Sequence, residues 1–320
     1  MMRYIFTLLC LIAVLHMRAQ NDSIVNALDE VMLQTIKNDK TQTLGQKKIK
    51  LTSQQITKNP TTFTSLLRYN SPIAFRDYGN GGTSSARFRG TSATNTSVQW
   101  NGISINATGN GQTDFNSLSA NIVDNIIVKS GGGSVEYGSG AIGGVVHLND
   151  ILDFQKHSHH QLFTSYGDFN TSSNFFKANY GFDKWAFKVG ASLNISDNDY
   201  PFLDSRYKDQ NGNHLVNKNG KYNNYEISLS VGHKISDLNK IYFYTTKYYG
   251  DRLFSQGLPN PSAGSERNED FNQRSLLKWV YNFSNFKQEI KLAYLTQEFR
   301  YYANKSTSNY STGASKRVFF

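Results

Sequence analysis

The residues with the most recognisable chemical spacing are Gly138–Gly143, which read GSGAIG. Glycines in this arrangement are typical of a turn that cradles the phosphates of a dinucleotide, provided that a helix opens at its end. Here Val145, Val146 and Leu148 follow, in a pattern typical of a strand. Seven glycines between Gly131 and Gly144 also exceed what a phosphate turn requires. We therefore predict no nicotinamide or flavin site.

Two polar clusters have residue types that bind metal ions. The imidazoles of His157, His159 and His160 bind metal or haem in many proteins, although such a cluster is more often a solvated connector. Oxygen-rich side chains crowd a later segment, where they are either calcium ligands or parts of a hydrated loop. The candidate calcium ligands are Asp197, Asp199, Asp204 and Asp209. No nucleophile, base and orienting acid recur at usable spacing, so we predict neither an enzyme nor a required cofactor.

The composition and the N-terminus indicate an exported protein. The chain has 320 residues and a formal net charge of +10. Its basic residues are scattered, which favours contact with anionic lipid over nucleic-acid binding. Residues 1–20 read as a secretory signal peptide, since Arg3 is followed by an apolar run that is too short to span a membrane. Cys10 is the only cysteine, so the mature chain has no disulfide.

From Gln161 onward, apolar and polar residues alternate with a period of two. Trp185, Val189 and Leu193 share one face of a strand, while Lys188 and Ser192 share the other. Segments of about ten such residues are typical of strands in a transmembrane barrel, and a soluble β-sandwich is the alternative. The aromatic content of 13% and the alternation of short turns with long polar loops favour the barrel. The pattern predicts about seven strands and the start of an eighth.

Glycine clusters and short β-branched segments mark the stretch from Ala86 to Leu148 as a compact, strand-rich module. Within it, FRG at Phe88–Gly90 precedes WNGISI at Trp100–Ile105. A longer block, IVDNIIVKSGGGSVEYGSGAIGGVVHL, runs from Ile122 to Leu148. With these blocks at this spacing, the sequence resembles the plug domain of the TonB-dependent outer-membrane receptors, which implies a strand, a short turn at Asn101-Gly102 and another strand within WNGISI.

The resemblance implies a mainly β protein in four parts. These are the signal peptide at 1–20, a periplasmic segment at 21–46, an α+β plug domain at 47–152 and antiparallel transmembrane strands of a partial β-barrel at 153–320. Since the interior of an eight-stranded barrel is filled by side chains and plugged barrels need about 22 strands, we expect the chain to be a fragment with an incomplete barrel.

The resemblance also implies functional residues. A TonB box is an extended segment that adds a strand to the sheet of the periplasmic protein TonB, and we place it at Leu28, Asp29, Glu30, Val31, Met32 and Leu33. Loops at the outer face of the plug would bind a small-molecule ligand, and the residues expected there are Tyr78, Asn80, Thr83, Asn106, Asn110 and Gln112. The residues expected to maintain the plug are Arg87, Arg89, Gly90, Glu136, Gly138, Gly140 and Gly143.

Two expectations concern contacts between the plug and the barrel. Plug arginines of this family pair with acidic residues of the barrel wall, so Arg87 and Arg89 would pair with Glu226 or Glu289, which face the lumen by the alternation above. The glycines between Gly131 and Gly144 are expected to let the backbone pass close to the barrel wall.

The function implied by the resemblance is TonB-driven import of a scarce, large ligand across the outer membrane of a Gram-negative cell. Cobalamin is the first candidate, because NDYPF at Asn198–Phe202 resembles cobalamin receptors, some of which order their outer loops with calcium. A ferric siderophore is the second candidate and haem the third. An adhesion or structural barrel without transport is the alternative, and it would need neither a plug nor a TonB box.

Overall fold

The computed structural model describes residues 47–58, 62–202, 215–255 and 264–320. All of these lie in one compact unit, Gly45–Phe320. The predicted signal peptide and TonB box, together with Asp204 and Asp209, lie outside the described residues. Among the helices that are described, none is both long enough and apolar enough to cross a membrane.

The first part of the described chain, residues 47–152, forms a small α+β layer that we call the plug region. Its helices and strands are β1 (Lys47–Leu51), α1 (Ser53–Lys58), α2 (Phe63–Asn70), β2 (Ala74–Asp77), β3 (Ser84–Arg87), β4 (Thr96–Trp100), β5 (Ile103–Ser104), β6 (Asn125–Ser130), α3 (Ser134–Tyr137) and β7 (Gly144–Asn149). Five strands form one sheet in the order β1-β6-β7-β4-β5, while β2 and β3 pair separately. Only the β4–β7 pair is parallel in that sheet.

Local chemistry explains where these elements begin and turn. The Thr62 hydroxyl accepts a hydrogen bond of 3.2 Å from the Ser65 backbone N–H and so caps α2. Asn101 and Gly102 have φ angles of 47° and 88°, which suit the tight hairpin between β4 and β5. The predicted arrangement of a strand, a short turn and a second strand at WNGISI is therefore confirmed.

Eight long antiparallel strands form the second part, which we call the wall sheet. They are β8 (His157–Gly167), β9 (Thr171–Phe182), β10 (Trp185–Ser196), β13 (Tyr222–Lys234), β14 (Asn239–Leu253), β15 (Arg267–Phe283), β16 (Phe286–Tyr302) and β17 (Ser311–Phe319), while the short pair β11 (Pro201–Phe202) and β12 (Leu215–Val216) lies in the connection after β10. The sheet is open, since β8 and β17 are its two edges. The mainly β fold with an incomplete barrel is confirmed.

The two ends of the wall sheet differ in their connections. Short turns at residues 183–184, 235–238 and 284–285 define what we call the turn end. The longer connections after β10, β14 and β16 define the loop end. The connection between β8 and β9 also lies at the loop end but is short, and its residues Phe169 and Asn170 have φ angles of 58° and 51°.

Alternation along the strands sets which side chains meet the plug region. Trp185, Val189 and Leu193 are 39–44% exposed on the outer face of the wall sheet, whereas Ala186 and Lys188 are completely buried on the inner face. The inner face shares one hydrophobic core with the apolar face of the plug sheet. The Trp100 and Tyr244 rings meet edge to face across this contact, with centroids 6.4 Å apart. The plug region is thus packed against the wall sheet.

Candidate functional site

A cavity of about 820 Å³ opens at the loop end between the plug region and the wall sheet, and we call it the outer cavity. Its volume falls within the range of about 300–1,000 Å³ that is usual for ligand sites. The plug region lines it with two segments, residues 76–85 and 105–117, and the wall sheet lines it with parts of β14 to β17. A ligand in this cavity would therefore touch both parts of the protein at once.

Four of the six predicted ligand residues line the outer cavity, namely Tyr78, Thr83, Asn110 and Gln112. Asn106 does not line it and has a structural role instead. The Asn106 side chain accepts a hydrogen bond from Val98 N (2.8 Å) and donates to the carbonyls of Thr96 (2.8 Å) and Gly111 (2.9 Å), which shapes the loop that bears Asn110 and Gln112.

Asn80 lines a second, smaller cavity of about 440 Å³, further along the wall sheet. Many of the residues that line it carry hydroxyl or amide groups, with Asn116 and Ser119 from the plug region and Ser192 and Asn194 from the wall sheet among them. Arg252 borders both cavities.

Arg252 of β14 clamps the plug loops to the wall sheet at the loop end. Its guanidinium lies 2.6 Å from Asp114 of the plug region and 2.8 Å from Asp270 of β15, and it donates to the Gly82 carbonyl at 3.1 Å. Asp114 also accepts hydrogen bonds from the backbone N–H groups of Ser84 and Asn116. Sequence reasoning missed this clamp, although the alternation along β14 would have placed Arg252 on the inner face.

A second ion cluster lies deeper, toward the turn end, and it is fully buried. Lys188 Nζ lies 2.7 Å from Asp124 and 2.5 Å from Asp150, while Lys177 Nζ lies 3.1 Å from the other oxygen of Asp124. The Ser230 hydroxyl donates to Asp150 at 3.0 Å. Burial acts to raise the pKa of Asp124, but the positive charges of Lys188 and Lys177 outweigh it and hold that pKa below its ordinary value.

The predicted pairing of plug arginines with wall carboxylates is wrong. Arg87 and Arg89 take part in none of the ion pairs among the described residues, because Arg89 lies in an exposed turn with a φ of 45° and the wall carboxylates are already engaged. Glu226 accepts hydrogen bonds from the Ser119 backbone and the Thr246 hydroxyl. Glu289 pairs with Lys278 and Lys291. The polarity of the contact is reversed, since the plug supplies the carboxylates and the wall supplies the cations.

The glycine cluster before β7 is tight, but its neighbours differ from those expected. A Cβ on Gly143 would lie 2.5 Å from the Thr91 hydroxyl and 3.0 Å from the Asn95 carbonyl, both in the plug region rather than in the wall sheet. Gly138 ends α3 with a φ of 83°, which favours glycine. A strand, β7, follows the GSGAIG turn, so the helix that a dinucleotide site needs is not formed there.

The other predicted plug residues have local roles. Gly90 has a φ of 79° in the turn that follows Arg89. Glu136 lies 3.8 Å from Lys129 and accepts a hydrogen bond from the Tyr137 hydroxyl. A Cβ added to Gly140 would make only an ordinary contact, with its nearest neighbour at 3.5 Å.

Those candidate metal ligands that lie within the described residues do not come together into one site. Asp197 accepts hydrogen bonds from the Asn170 amide and the Lys221 ammonium, which hold the pKa of its carboxyl below the ordinary value. The neighbouring Asp199 is exposed. In the described ranges no three His, Cys, Asp or Glu side chains form a group suited to a metal. Because Asp204 and Asp209 lie outside those ranges, the calcium site stays a prediction.

Comparisons with known proteins agree with this architecture. The sequence profile of the TonB-dependent Receptor Plug Domain matches residues 40–145. Among solved structures, the chain is similar to the siderophore receptor PirA from Acinetobacter baumannii, with a TM-score of 0.65 and 17% identity over 88% of this chain and 45% of that one. No curated protein matches the sequence significantly.

Two further solved structures have the same fold. The FrpB iron transporter from Neisseria meningitidis gives a TM-score of 0.64 and 15% identity over 81% of this chain and 42% of that one. The copper transporter OprC gives a TM-score of 0.60 and 18% identity over 76% of this chain and 35% of that one. The chain thus spans 35–45% of the length of these three proteins.

Proposed function

We propose that this chain, whose residues 40–145 match the plug domain of the TonB-dependent receptors, is part of such a receptor, binds a metal chelate at the loop end and serves its import across the outer membrane. The observation that carries the proposal is the outer cavity, which is bounded by plug loops on one side and by wall strands on the other. A ferric siderophore is the cargo we favour, because the solved structures with this fold include a siderophore receptor and an iron transporter.

The position of the cavity supports a receptor that senses its cargo. A ligand there would contact Tyr78 and Gln112 of the plug as well as Asn268 and Asn272 of β15. Binding energy would then act on the boundary that has to move before a cargo can pass. A ligand shifts such an equilibrium only through contacts that differ between the two states, and contacts made to both parts satisfy this condition.

The outer face of the wall sheet supports a location in the outer membrane. Val189, Leu193, Ile227, Leu277 and Leu292 are all exposed on it, and an outward apolar band is what lipid requires of barrel strands. The predicted signal peptide at 1–20 would direct the protein to the envelope.

Energy for import would come from TonB, which we propose pairs with the predicted TonB box at residues 28–33. Strand addition needs only a free backbone edge, and alternating side chains such as Leu28 and Glu30 add modest selectivity. Binding of cargo would not require this segment, so binding and import can be separated by experiment.

The test uses the protein expressed from its complete reading frame in outer membranes. Binding and uptake of ferric chelates, cobalamin and haem are measured for the natural protein, for a deletion of residues 27–33 and for a control deletion of residues 34–40. We expect the first deletion to abolish uptake while binding is retained, and the control to keep both.

Uptake that survives the deletion of residues 27–33 would refute the TonB-driven mechanism. A folded protein that binds none of these cargoes would refute the receptor function and favour the adhesion alternative. Binding of cobalamin or haem alone would keep the receptor function and exclude the siderophore.

A further inference from the structure

We propose that the outer cavity selects an anionic chelate and that Arg274 of β15 is the residue that binds its negative charge. This inference rests on the proposed function, because it names the charge class of the ligand of the same site. It is argued from the position of Arg274, from the absence of a partner for its guanidinium among the described residues and from the other charges of the cavity.

Arg274 lies at the floor of the outer cavity. Along β15 the inward-facing residues run from Asp270 through Asn272 to Arg274, all of which line the cavity. The next inward residue, Leu276, is completely buried in the hydrophobic core. Arg274 itself is only 4% exposed, so its guanidinium is the last polar group before the core.

The Arg274 side chain has no hydrogen bond or ion pair with any residue that the structure describes, and its Nε is buried without an acceptor. Glu226 is the carboxylate whose charge acts on it, but Glu226 is already engaged by Ser119 and Thr246 at 3.1 and 2.7 Å. The charge of Glu226 offsets that of Arg274, but a buried guanidinium whose N–H donors lack acceptors among the described residues is costly, so its position is best explained by the oxygens of an anion that arrives from the cavity.

The carboxylates of the cavity already have hydrogen-bond donors within the protein. Asp114 and Asp270 share Arg252, and they also accept hydrogen bonds from backbone N–H groups and from the Asn268 amide, respectively. Glu298 pairs with Arg300 at 2.8 Å. These carboxylates therefore do not need a cationic ligand.

Two further arginines add positive charge around Arg274. Arg317 lies two strands away in the same register row, with Leu295 between them. In the described part of the chain it bonds only to neutral acceptors, Ser104 O and the Gln297 side chain. Arg76 is exposed on the plug side of the cavity, with its guanidinium 5.2 Å from the centre of the Tyr78 ring. Among the described residues, the cavity thus has cations without carboxylate partners on both its plug side and its wall side.

The chemistry of these groups matches an oxygen-rich anion. A guanidinium binds paired oxygens through two parallel N–H donors, and such charge-assisted hydrogen bonds are about twice as strong as neutral ones. The amides of Asn110, Gln112, Asn272 and Gln297 offer further donors around the cavity. Ferric chelates built from catecholate or carboxylate groups carry net negative charge and present such oxygens, whereas ferric tris-hydroxamate chelates are neutral.

The test measures dissociation constants of the complete protein for a ferric tris-catecholate, a ferric polycarboxylate and a neutral ferric tris-hydroxamate. We expect an anionic chelate to bind most tightly, with an affinity that falls as salt is added. Arg274→Gln should weaken its binding by about 10- to 100-fold, the loss expected for one charge-assisted hydrogen bond, and Arg274→Lys should weaken it less. Arg267→Gln is the matched control, because Arg267 lies on the same strand and pairs with Asp251 outside the cavity.

The possible results separate the two proposals. Tight binding of the neutral chelate, with no effect of Arg274→Gln, would overturn the inference and leave the receptor function intact. A folded protein that binds no ferric chelate, cobalamin or haem would overturn the receptor function itself. If Arg274→Gln fails to fold, the salt dependence of the unaltered protein decides, since equal dependence for anionic and neutral chelates would contradict the inference.

Discussion

Lys188 of the wall sheet and Asp124 of the plug region form a buried ion pair with 2.7 Å between Nζ and Oδ2. The pair joins strand β10 to the start of β6, across 64 positions of sequence. Lys188 also bonds Asp150, so a single ammonium contacts the residue before β6 and the residue after β7, at the end of the pair where Asn125 lies opposite Asn149. The contact must break if the plug moves away from this part of the wall.

Replacing Lys188 should therefore loosen the plug. Lys188→Met removes the ammonium that two buried carboxylates share, and removal of one partner of a buried pair costs about 3–5 kcal/mol. We expect faster proteolysis of the plug region and a lower denaturant midpoint. Lys221→Met is the control, because the Lys221–Asp197 pair is exposed to solvent and its loss should have a much smaller effect. Equal effects of the two changes would contradict the assignment.

Arg252 should stabilise the plug loops at the loop end, opposite the Lys188 cluster. Arg252→Gln removes the ion pairs to Asp114 and Asp270 and the hydrogen bond to Gly82. We expect hydrogen exchange in residues 78–84 to speed up by at least about tenfold, as about 1.4 kcal/mol of lost local stability would produce. Arg267→Gln should leave that segment unchanged, since its ion pairs are to Asp251 and Glu269 within the wall sheet. Unchanged exchange in the Arg252 variant would show that the loops are held by other contacts.

The environment of His147 leads us to predict that the stability of the plug region depends on pH. Burial and the nearby positive charge of Lys129 lower the pKa of His147 to about 4, against the opposing effect of Glu136. The unfolded chain takes up a proton near pH 6.5, so between about pH 6.5 and pH 4 it binds more protons than the folded state. The free energy of unfolding should fall by up to about 3 kcal/mol as the pH falls through this window.

Denaturant unfolding at several pH values tests whether the free energy of unfolding falls as the pH falls. The variant His147→Gln should show a flatter dependence between pH 6.5 and pH 4, since it lacks the titrating ring. Loss of stability from Asp124 begins only below its ordinary pKa, because its pKa is lowered in the folded state. A variant with the same slope as the natural protein would exclude His147 as the cause.

The GSGAIG turn should tolerate an added methyl group at one glycine and reject it at another. Gly143→Ala would place a Cβ 2.5 Å from the Thr91 hydroxyl and should cost about 1–3 kcal/mol. Gly140→Ala meets nothing closer than 3.5 Å and should be nearly neutral. Thermal unfolding of the two variants gives the comparison, and similar melting temperatures would refute the packing argument.

Patterns of short range predicted much of this fold. The period-two alternation placed Trp185 and Val189 outside and Lys188 inside, because successive side chains of a strand point to opposite faces. The Asn101-Gly102 pair predicted a hairpin because both residues accept positive φ angles. The plug was recognisable from glycine and β-branched blocks, whose turn chemistry is a property of adjacent residues.

The composition of loops also located the outer cavity in part. Tyr78, Asn110 and Gln112 were expected at the ligand face and do line the cavity. Asn106 was expected there for the same reason, but its amide is used within the loop. The sequence alone does not reveal whether the side chain of a polar loop residue bonds to the backbone or points outward.

The amino-acid sequence by itself determined the strands, the turns and the division into a plug and a wall, because these depend on the periodicity and conformational preferences of neighbouring residues. Only the tertiary structure decided the pairing of charges. Lys188 reaches Asp124, Arg252 reaches Asp114, and Arg274 reaches no carboxylate among the described residues, and each outcome depends on how the plug is docked and on the register of strands far apart in sequence. Coulomb attraction depends on the distance between charges in space. The positions of charged residues along the chain therefore do not reveal which of them are paired within the protein and which remain available to a ligand.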